Sequence, residues 1–469
     1  MNAPVPAPPR ALFENLAREH GFEPVEVEGT LPERLCGTLF RNGAGQLQQF
    51  GRRYDHVFEA DGAVSALRIR HGQASAAVRL VQSEGLVRER AAGRHLESFA
   101  ASWPRRLRAI HRGPMKNTAN THVVPWQGRL YALMEGGRPT ELDPDTLHTL
   151  GESDLGGIVG RAFSAHPHRV HGHRTTYNFG QVFGPRPALD LFALPDVGAA
   201  RKLGRVPLQR PVMLHDFAVT ERHAVFFVSP IRVVLWRMLI GLRSFTDNMR
   251  WCPQDGTEVL IVPLHDPERV FRFHTDPFAC FHFASAFERG DGIVVDYVRY
   301  ADANMLGALG NGLGLTWTDR QRHINGTLHR AYIDPNRRRL TSQPLWDGEC
   351  EYPRHAPHEG GHAPSQHWMQ SARYVDDVLR FAVTRVHFDG DATRVTHDNL
   401  DAGHLSSESV FAQDPEAAPG VGWLLTLVFD SRTERSHVLV HEAASLRRVA
   451  RINLTQAIPL TFHGSWLPG

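Results

Sequence analysis

Short strand-like segments separated by turn residues follow one another along most of the chain. Typical examples are GRLYALMEGG (128–137), HAVFFVS (223–229), EVLIVPLHD (258–266) and GIVVDYVRY (292–300). Each gives about five to seven strand-like residues between Gly, Asp, Pro or Ser. The pattern continues from about residue 35 to the end without a linker, which is typical of one closed antiparallel architecture. The sequence therefore predicts an all-β fold, either a propeller or a large barrel.

Two segments show helical periodicity instead. They are ALFENLAREHG (11–21) and RPALDLFALPDV (186–197). The opening MNAPVPAPPR has no apolar core of the kind a signal peptide needs. We therefore expect an N-terminal tail and short helix over residues 1–30 and a single β domain over residues 31–469. No repeat with a GH…WD signature is present, which disfavours a propeller of equal interaction repeats.

Charge and cysteine usage exclude several classes of function. The chain carries 52 basic and 50 acidic residues, for a net charge of +2, so no basic field points to a nucleic acid. No pattern indicates a protein partner. The four cysteines show neither a CxxC pair nor the spacing of a disulfide framework, and 469 residues can form a core without disulfides. Reduced thiols and a cytoplasmic location are the expectation.

The segment PRHAPHEGGHAP (353–364) contains the letters H-E-x-x-H at His358, Glu359 and His362. That zinc-protease motif works only on a helix, where two histidines four residues apart share one face. Two interior glycines cost a helix roughly 1 kcal/mol each, and prolines flank the motif. A histidine-rich loop is therefore expected here, and any metal ligands should lie elsewhere.

Four of the 28 histidines lie in or beside apolar, strand-like contexts: His166 in FSAHPHRV, His215 in VMLHDFAV, His282 in CFHFASAF and His463 in PLTFHGSW. Any one of them could be an ordinary buried histidine. Four such imidazoles from separate segments could meet on the axis of a closed β fold, where they would suit Fe, Zn, Cu or Ni.

Three glutamates lie in comparably apolar contexts: Glu135 in LYALMEGG, Glu351 in ECEYPR and Glu408 in SESVFA. A carboxylate inside an apolar strand is costly unless it is hydrogen-bonded. Metal-binding histidines need a partner on the second ring nitrogen, commonly a carboxylate. Binding these imidazoles would meet both requirements.

In these segments the sequence resembles the carotenoid cleavage oxygenase family, which also includes lignostilbene dioxygenases. GTLFRNGAG (37–45) and YDHVFEADGAV (54–64) resemble its N-terminal blade, and TANTHVVPWQGRLYALMEGGRPTELDPDTL (118–147) its first glutamate segment. SAHP, MLHDFAVTER, FHFASAFE and FHGSW resemble its four histidine segments, and EYPR and SESVF its other glutamate segments. These motifs occur in order over more than 400 residues.

The resemblance implies a seven-bladed β-propeller, with loops and short helices forming a cap over one face and Fe(II) on the central axis. His166, His215, His282 and His463 would bind the iron, and Glu135, Glu351 and Glu408 would bind those histidines. The implied reaction is oxidative cleavage of a C=C bond by dioxygen (O2), giving two carbonyl products. No side chain is implied as a general acid or base. A metal-free interaction propeller and a zinc hydrolase are the rival classes.

The same resemblance gives a prediction about the substrate. Lignostilbene-cleaving members place a phenol-binding lysine before the first glutamate and a tyrosine in the segment written here VQSEGLVRERAAGR; this chain has Met134 and, by ungapped alignment, Leu86. Apolar contacts at Met134 and Leu86 suit a carotenoid or apocarotenoid, because an unpartnered phenol hydroxyl costs about 1–3 kcal/mol. Cleavage of a phenolic stilbene by the same iron is the alternative.

The most apolar stretch runs from Val225 to Phe245 and contains three arginines. These charges exclude a spanning helix, which needs about 18 uncharged residues. The stretch is either a peripheral membrane patch, with Trp236 and Leu239 in lipid, or a buried strand followed by a packed helix.

Overall fold

The computed structural model describes residues 9–96, 104, 116–234, 248–306, 326–375, 378–390 and 392–469. Within these residues the larger antiparallel sheets form seven blades around a central axis, numbered 1 to 7, and two of the blades share one long strand. The inner strand of blade 1 contacts the inner strands of blades 2 and 7, and the inner strand of blade 4 contacts those of blades 3 and 5. The prediction of an all-β, seven-bladed propeller is confirmed.

Each blade runs from an inner strand beside the axis to an outer strand, in the following order. Blade 1 comprises Thr461–Pro468, Gly37–Gln46, Asp61–Arg70, Gln73–Leu80 and His20–Pro24. Blade 2 comprises His122–Trp126, Arg129–Leu133, Thr140–Leu142 and Thr149–Glu152. Blade 3 comprises His168–Val170, Thr175–Val182, Ala188–Pro195 and Arg201–Pro207. Blade 4 comprises Ala218–Val219, His223–Val228, Thr257–Pro263 and Phe271–Thr275.

The long strand Arg339–Arg354 belongs to two blades. Blade 5 comprises Ala279–Arg289, Gly292–Tyr300, Thr327–Asp334 and the first part of Arg339–Arg354. Blade 6 comprises the last part of Arg339–Arg354, then Gln366–Val375, Val378–Asp389 and Ala392–Asn399. Blade 7 comprises His404–Gln413, Gly422–Asp430, Arg435–Glu442, Arg448–Asn453 and Glu26–Gly29.

The remaining described elements are short. One α-helix covers Glu84–Ala92; the Ser83 side chain caps its N-terminus, and Gly93 ends it in the left-handed conformation. Single 3₁₀ turns cover Ala11–Phe13, Val57–Glu59, Pro253–Asp255 and Pro357–Glu359. Two ribbons pair Gln48–Gln49 with Arg52–Arg53 and Ile231–Val233 with Met249–Trp251. Residues 97–103, 105–115 and 307–325 lie outside the described residues.

The core lies between the blades, because each sheet is covered on both faces. In His223–Val228, Phe226 packs on Phe179 of blade 3 with ring centroids 5.4 Å apart. Its neighbour Phe227 points to the other face and packs on Tyr297 of blade 5 at 5.0 Å. Successive side chains of a strand point to opposite faces, so a strand between two blades is apolar at every position. This explains the unbroken apolar run at Val225–Val228.

Both predicted helices are wrong. Residues 11–19 contain one 3₁₀ turn, Ala11–Phe13, and residues 20 and 21 begin the strand His20–Pro24, which pairs with Gln73–Leu80 at the outer edge of blade 1. Residues 188–195 form a strand in the middle of blade 3. Its side chains contact apolar clusters on both faces, which produced an apolar pattern that resembles helical periodicity.

Described segments near both ends of the sequence take part in the propeller. The C-terminal strand Thr461–Pro468 pairs with Gly37–Gln46 and closes blade 1. This pairing needs a glycine at position 43, because a Cβ atom there would lie 2.1 Å from the carbonyl oxygen of Leu460. Near the N-terminus, Glu26–Gly29 pairs with Arg448–Asn453 in blade 7. Part of the segment predicted as a tail over residues 1–30 therefore supplies strands to two adjacent blades.

Candidate metal centre and active site

The four histidines singled out from the sequence meet at the centre of the propeller. His166 and His215 precede the inner strands of blades 3 and 4, and His282 and His463 lie within the inner strands of blades 5 and 1. All four are buried, and one nitrogen from each lies within 4.8 Å of the others. The structure thus brings together residues that are up to 297 positions apart in sequence, from His166 to His463.

Three of these imidazoles contact the three predicted glutamates. Nδ1 of His215 lies 2.8 Å from Oε1 of Glu135, Nδ1 of His282 lies 2.5 Å from Oε2 of Glu351, and Nδ1 of His463 lies 2.9 Å from Oε1 of Glu408. A carboxylate at Nδ1 fixes the tautomer, so Nδ1 carries the proton and Nε2 keeps its lone pair.

The Nε2 atoms face one another. Nε2 of His282 lies 3.3 Å from Nε2 of His215 and 3.2 Å from Nε2 of His463. Nε2 of His166 is buried and makes no hydrogen bond. Lone pairs in this arrangement repel unless a cation lies between them. The donor set therefore fits a divalent transition metal, for which neutral imidazole is a preferred ligand.

Burial also favours neutral imidazoles at two of the four positions. It lowers the pKa of His166 well below the ordinary value of histidine, and the neighbouring histidines lower it further. Burial likewise lowers the pKa of His463 well below that value. At His282 burial lowers the pKa, but the Glu351 carboxylate together with Asp216 and Glu408 outweighs it, and the net shift is upward. A cation at the Nε2 atoms would displace that proton.

Each glutamate is fixed by further contacts. Glu408 accepts from the Arg41 guanidinium at 2.8 Å, from Arg354 at 2.7 Å and from the backbone N–H of Gly464 at 2.9 Å. Burial alone would raise the pKa of Glu408, but Arg354, His463 and Arg41 lower it well below its usual range.

Glu351 and Glu135 are held by uncharged donors. Glu351 accepts from the Tyr300 hydroxyl and from the backbone N–H of Tyr352, and the Thr121 hydroxyl lies 3.4 Å from Glu135. Sequence reasoning missed Arg41 and Tyr300. Arg41 gave a detectable signal, because it is a charge beside Leu39 and Phe40 in an apolar strand.

The HEGGH segment forms a loop, as predicted. Only one 3₁₀ turn, Pro357–Glu359, is present, and Gly361 takes a positive φ of 86°. His362 is exposed, with Nε2 3.6 Å from Glu221, and Oε1 of Glu359 accepts from the N–H of Ser365. Among the described residues, neither His358 nor His362 belongs to a cluster of three or more possible metal ligands.

An apolar cavity ends at the histidine cluster. His215, His282 and His463 line it at one side. Most of the other described lining residues are apolar, among them Phe58, Phe281, Met305, Leu427, Phe429 and Phe462. Phe281 stacks on the imidazole of His215 with ring centroids 3.8 Å apart. The cavity suits an apolar ligand placed against the histidines.

The two predicted substrate contacts lie elsewhere. Leu86 is fully buried in the helix Glu84–Ala92. Met134 is buried and forms an isolated bridge with Phe163. Neither residue is among the described lining of the cavity. Their role as substrate contacts stays a prediction that this cavity does not support.

The stretch from Val225 to Phe245 is described only in part. Val225–Val228 is buried within the strand His223–Val228, and Arg232 pairs with Asp255 at 2.7 Å. Trp236, Leu239 and the rest of residues 235–247 lie outside the described residues. Within the described ranges, none of the helices has the length and apolar character needed to cross a bilayer.

Comparison with known proteins identifies the family. The model of the retinal pigment epithelial membrane protein family matches residues 13–468, nearly the whole chain. The chain belongs to this family. It is the carotenoid cleavage oxygenase family that the histidine and glutamate motifs indicated, so that prediction is confirmed.

Relatives that match nearly the whole chain include an enzyme named for apocarotenoid oxygenation and one named for cleavage of the stilbene resveratrol. The chain is 29% identical to the apocarotenoid-15,15'-oxygenase of Synechocystis sp., over 97% of this chain and 95% of that protein. It is 28% identical to resveratrol cleavage oxygenase 1 of Aspergillus fumigatus, over 96% of this chain and 93% of that protein. The crystal structure of the cobalt-substituted Synechocystis apocarotenoid oxygenase matches with a TM-score of 0.84 and 26% identity, over 98% of this chain and 99% of that chain.

Proposed function

We propose that this protein is a non-haem Fe(II) dioxygenase that cleaves a C=C bond of a carotenoid or apocarotenoid into two carbonyl products. One observation carries the proposal: four buried imidazoles converge on one point, and three of them, His215, His282 and His463, line an apolar cavity. A metal bound there would face an apolar substrate directly. The names of the family members matched here, which are oxygenases, support the same reaction class.

His166, His215, His282 and His463 would hold the iron. When bound, Fe(II) supplies the activation of dioxygen that oxidative cleavage of an alkene requires. The protein's own groups fix the geometry: Glu135, Glu351 and Glu408 hold three imidazoles by Nδ1, and Arg41 with Arg354 fixes Glu408. Because all four imidazoles are neutral when ligating, the iron keeps its full positive charge.

The cavity lining would position the alkene and exclude water. Phe281 covers the face of the His215 imidazole, so a substrate chain beside it lies against the histidine cluster. Holding one double bond at this point selects the bond that is cleaved. Exclusion of water strengthens the electrostatic contacts of the site and prevents side reactions.

A polyene is the favoured substrate because the described lining is mainly apolar. Cleavage of a phenolic stilbene is the second candidate, and the resveratrol cleavage relative favours it. Gln370, Ser406 and Ser407 also line the cavity and could accept or donate to a phenol hydroxyl. The two candidates therefore differ in whether these polar groups bind the substrate.

The test is turnover of a substrate panel by the iron-loaded enzyme under isotopically labelled dioxygen. The panel contains apocarotenals, intact carotenoids and 4-hydroxystilbenes, and products are identified by mass spectrometry. We expect two labelled carbonyl products from a polyene. Efficient stilbene cleavage with no attack on any polyene would change the proposed substrate class and leave the oxygenase assignment unchanged. An enzyme that is active with zinc and consumes no dioxygen would contradict both.

The location of the protein follows from the same proposal. The four cysteines are free, as a reducing cytoplasm would keep them. An apolar polyene is drawn from lipid, so we include peripheral membrane contact in the proposal, through the part of residues 225–245 that follows the buried run Val225–Val228. Trp236→Asp combined with Leu239→Asp should reduce binding to phospholipid vesicles while preserving cleavage of detergent-dispersed substrate. Unchanged vesicle binding would favour a buried segment.

A further inference from the structure

A second, polar pocket lies on the other side of the histidine cluster. Its described lining includes His122, His168, Asp216, Arg354, His355 and Glu408. It encloses about 50 Å³, whereas one water molecule needs roughly 10–15 Å³ measured in this way. The polar pocket is thus large and polar enough to hold water, and the apolar cavity of about 220 Å³ is the region that must stay dry.

Three rings line both spaces: His282, Tyr352 and His463. We call these three the ring wall. His282 and His463 are each held through Nδ1 by a glutamate. The side chain of Tyr352 has no such hydrogen bond to a glutamate. Its ring centroid lies 5.3 Å from that of His282 and 5.3 Å from that of His463. The two imidazole centroids are 4.9 Å apart, so the Tyr352 ring packs against both of them and widens the wall that they form.

The backbone of Tyr352 is held in an unusual conformation. Its φ is +55°, in the left-handed region, which is uncommon for a tyrosine and is further disfavoured before a proline such as Pro353. Its N–H donates to Oε2 of Glu351 at 2.8 Å, the oxygen that also binds His282. Strained backbone of this kind persists where the surrounding structure requires it. Here it places the ring against the two imidazoles.

We propose that Tyr352 is the seal that keeps water in the polar pocket from entering the apolar cavity beside the metal centre. This inference rests on the proposed function, because only an apolar substrate requires a dry cavity at that point. A polyene bound against the ring wall would then meet water only if the tyrosine ring were removed. The phenol hydroxyl is not needed for this role; the ring is.

The experiment uses the metal-free protein and the apolar fluorescent polyene diphenylhexatriene. Its fluorescence lifetime is measured in ordinary and in heavy water, since the lifetime differs between the two solvents only where water reaches the probe. We expect a lifetime ratio near one for the wild-type protein and for Tyr352→Phe, which keeps the ring. Tyr352→Ala should give a shorter lifetime and a clear solvent difference, and Tyr352→Leu an intermediate one.

Controls separate this inference from folding and from the proposed function. Tyr374→Ala removes an exposed tyrosine at the outer end of a blade 6 strand and should leave the lifetime ratio unchanged. Thermal unfolding checks that each variant is folded, and Tyr352→Leu retains more packing if the alanine variant does not fold. A solvent-independent lifetime in folded Tyr352→Ala or Tyr352→Leu would overturn the seal. Failure of the iron-loaded wild-type enzyme to cleave any polyene would count against the proposed function instead.

Discussion

At the scale of single residues, the site is defined by which nitrogen of each imidazole is free. Glutamates at Nδ1 of His215, His282 and His463 leave Nε2 directed inward, and Nε2 of His166 is buried without a hydrogen bond. The loop histidines, partly buried His358 and exposed His362, have no such arrangement. Two variants, one single and one double, test this contrast directly.

The first prediction concerns the metal ligands. His215→Ala should abolish iron binding and activity, because it removes one of four convergent nitrogen atoms. The double variant His358→Ala with His362→Ala serves as the matched control and should keep both. Iron content per chain, measured by elemental analysis, decides between them. Iron loss in the loop variant alone would reverse the assignment.

The second prediction concerns Glu351, which binds Nδ1 of His282. Glu351→Gln should fold but lose about 10- to 100-fold in metal affinity or activity, because a neutral amide orients an imidazole less firmly and lowers its basicity. Metal titration of the apoprotein measures the affinity. The matched control is Glu434→Gln, which makes the same change at an exposed position. Wild-type affinity in Glu351→Gln would show that the carboxylate does not support the ligand.

At the scale of secondary-structure elements, the inner strands both close the propeller and carry the site. Thr461–Pro468 is the clearest case, because it completes blade 1 and also carries His463. It contacts the inner strands of blades 2 and 7. An open propeller exposes strand edges that closure would otherwise pair.

The third prediction separates these two roles. A chain ending at Leu460 should not fold cooperatively. The free energy lost with the closing strand should exceed the net stability of a typical domain, which is about 5–15 kcal/mol. His463→Ala should fold and unfold cooperatively, with its metal binding lost. Thermal unfolding followed by circular dichroism checks both. A cooperative transition in the truncated chain would show that blade 1 closes without its inner strand.

At the scale of the whole molecule, buried histidines outside the site make stability depend on pH. His437 in blade 7 is 2% exposed and lies 5.3 Å, ring to ring, from His404. Burial, with Arg451 and His404 nearby, lowers the pKa of His437 from 6.5 to about 3. Asp430 and Arg448 also face it, and the carboxylate opposes the shift.

The fourth prediction is that this histidine weakens the fold in acid. The folded-state pKa lies below the unfolded-state value, so the unfolded chain binds the additional proton and stability falls as the pH drops from 6.5 towards about 3. This one group changes the free energy of unfolding by at most about 1.4 kcal/mol per pH unit. His437→Phe should make the free energy of unfolding less dependent on pH in that window, and His148→Phe at the surface is the control. An unchanged pH dependence in His437→Phe would contradict the assignment.

The sequence by itself determined the all-β class, the strand segments named from their local pattern, the four histidines and the three glutamates. Strand periodicity is local, and a histidine or carboxylate in an apolar strand is visible without any fold. The match of each glutamate to its histidine, the arginines on Glu408 and the pairing of Glu26–Gly29 with blade 7 were decided only by the tertiary structure. The tertiary structure also decided that Tyr352 lies in the ring wall and that Leu86 lies away from the cavity. The physical reason is that these contacts join segments far apart in sequence, and they form only when seven blades close around one axis.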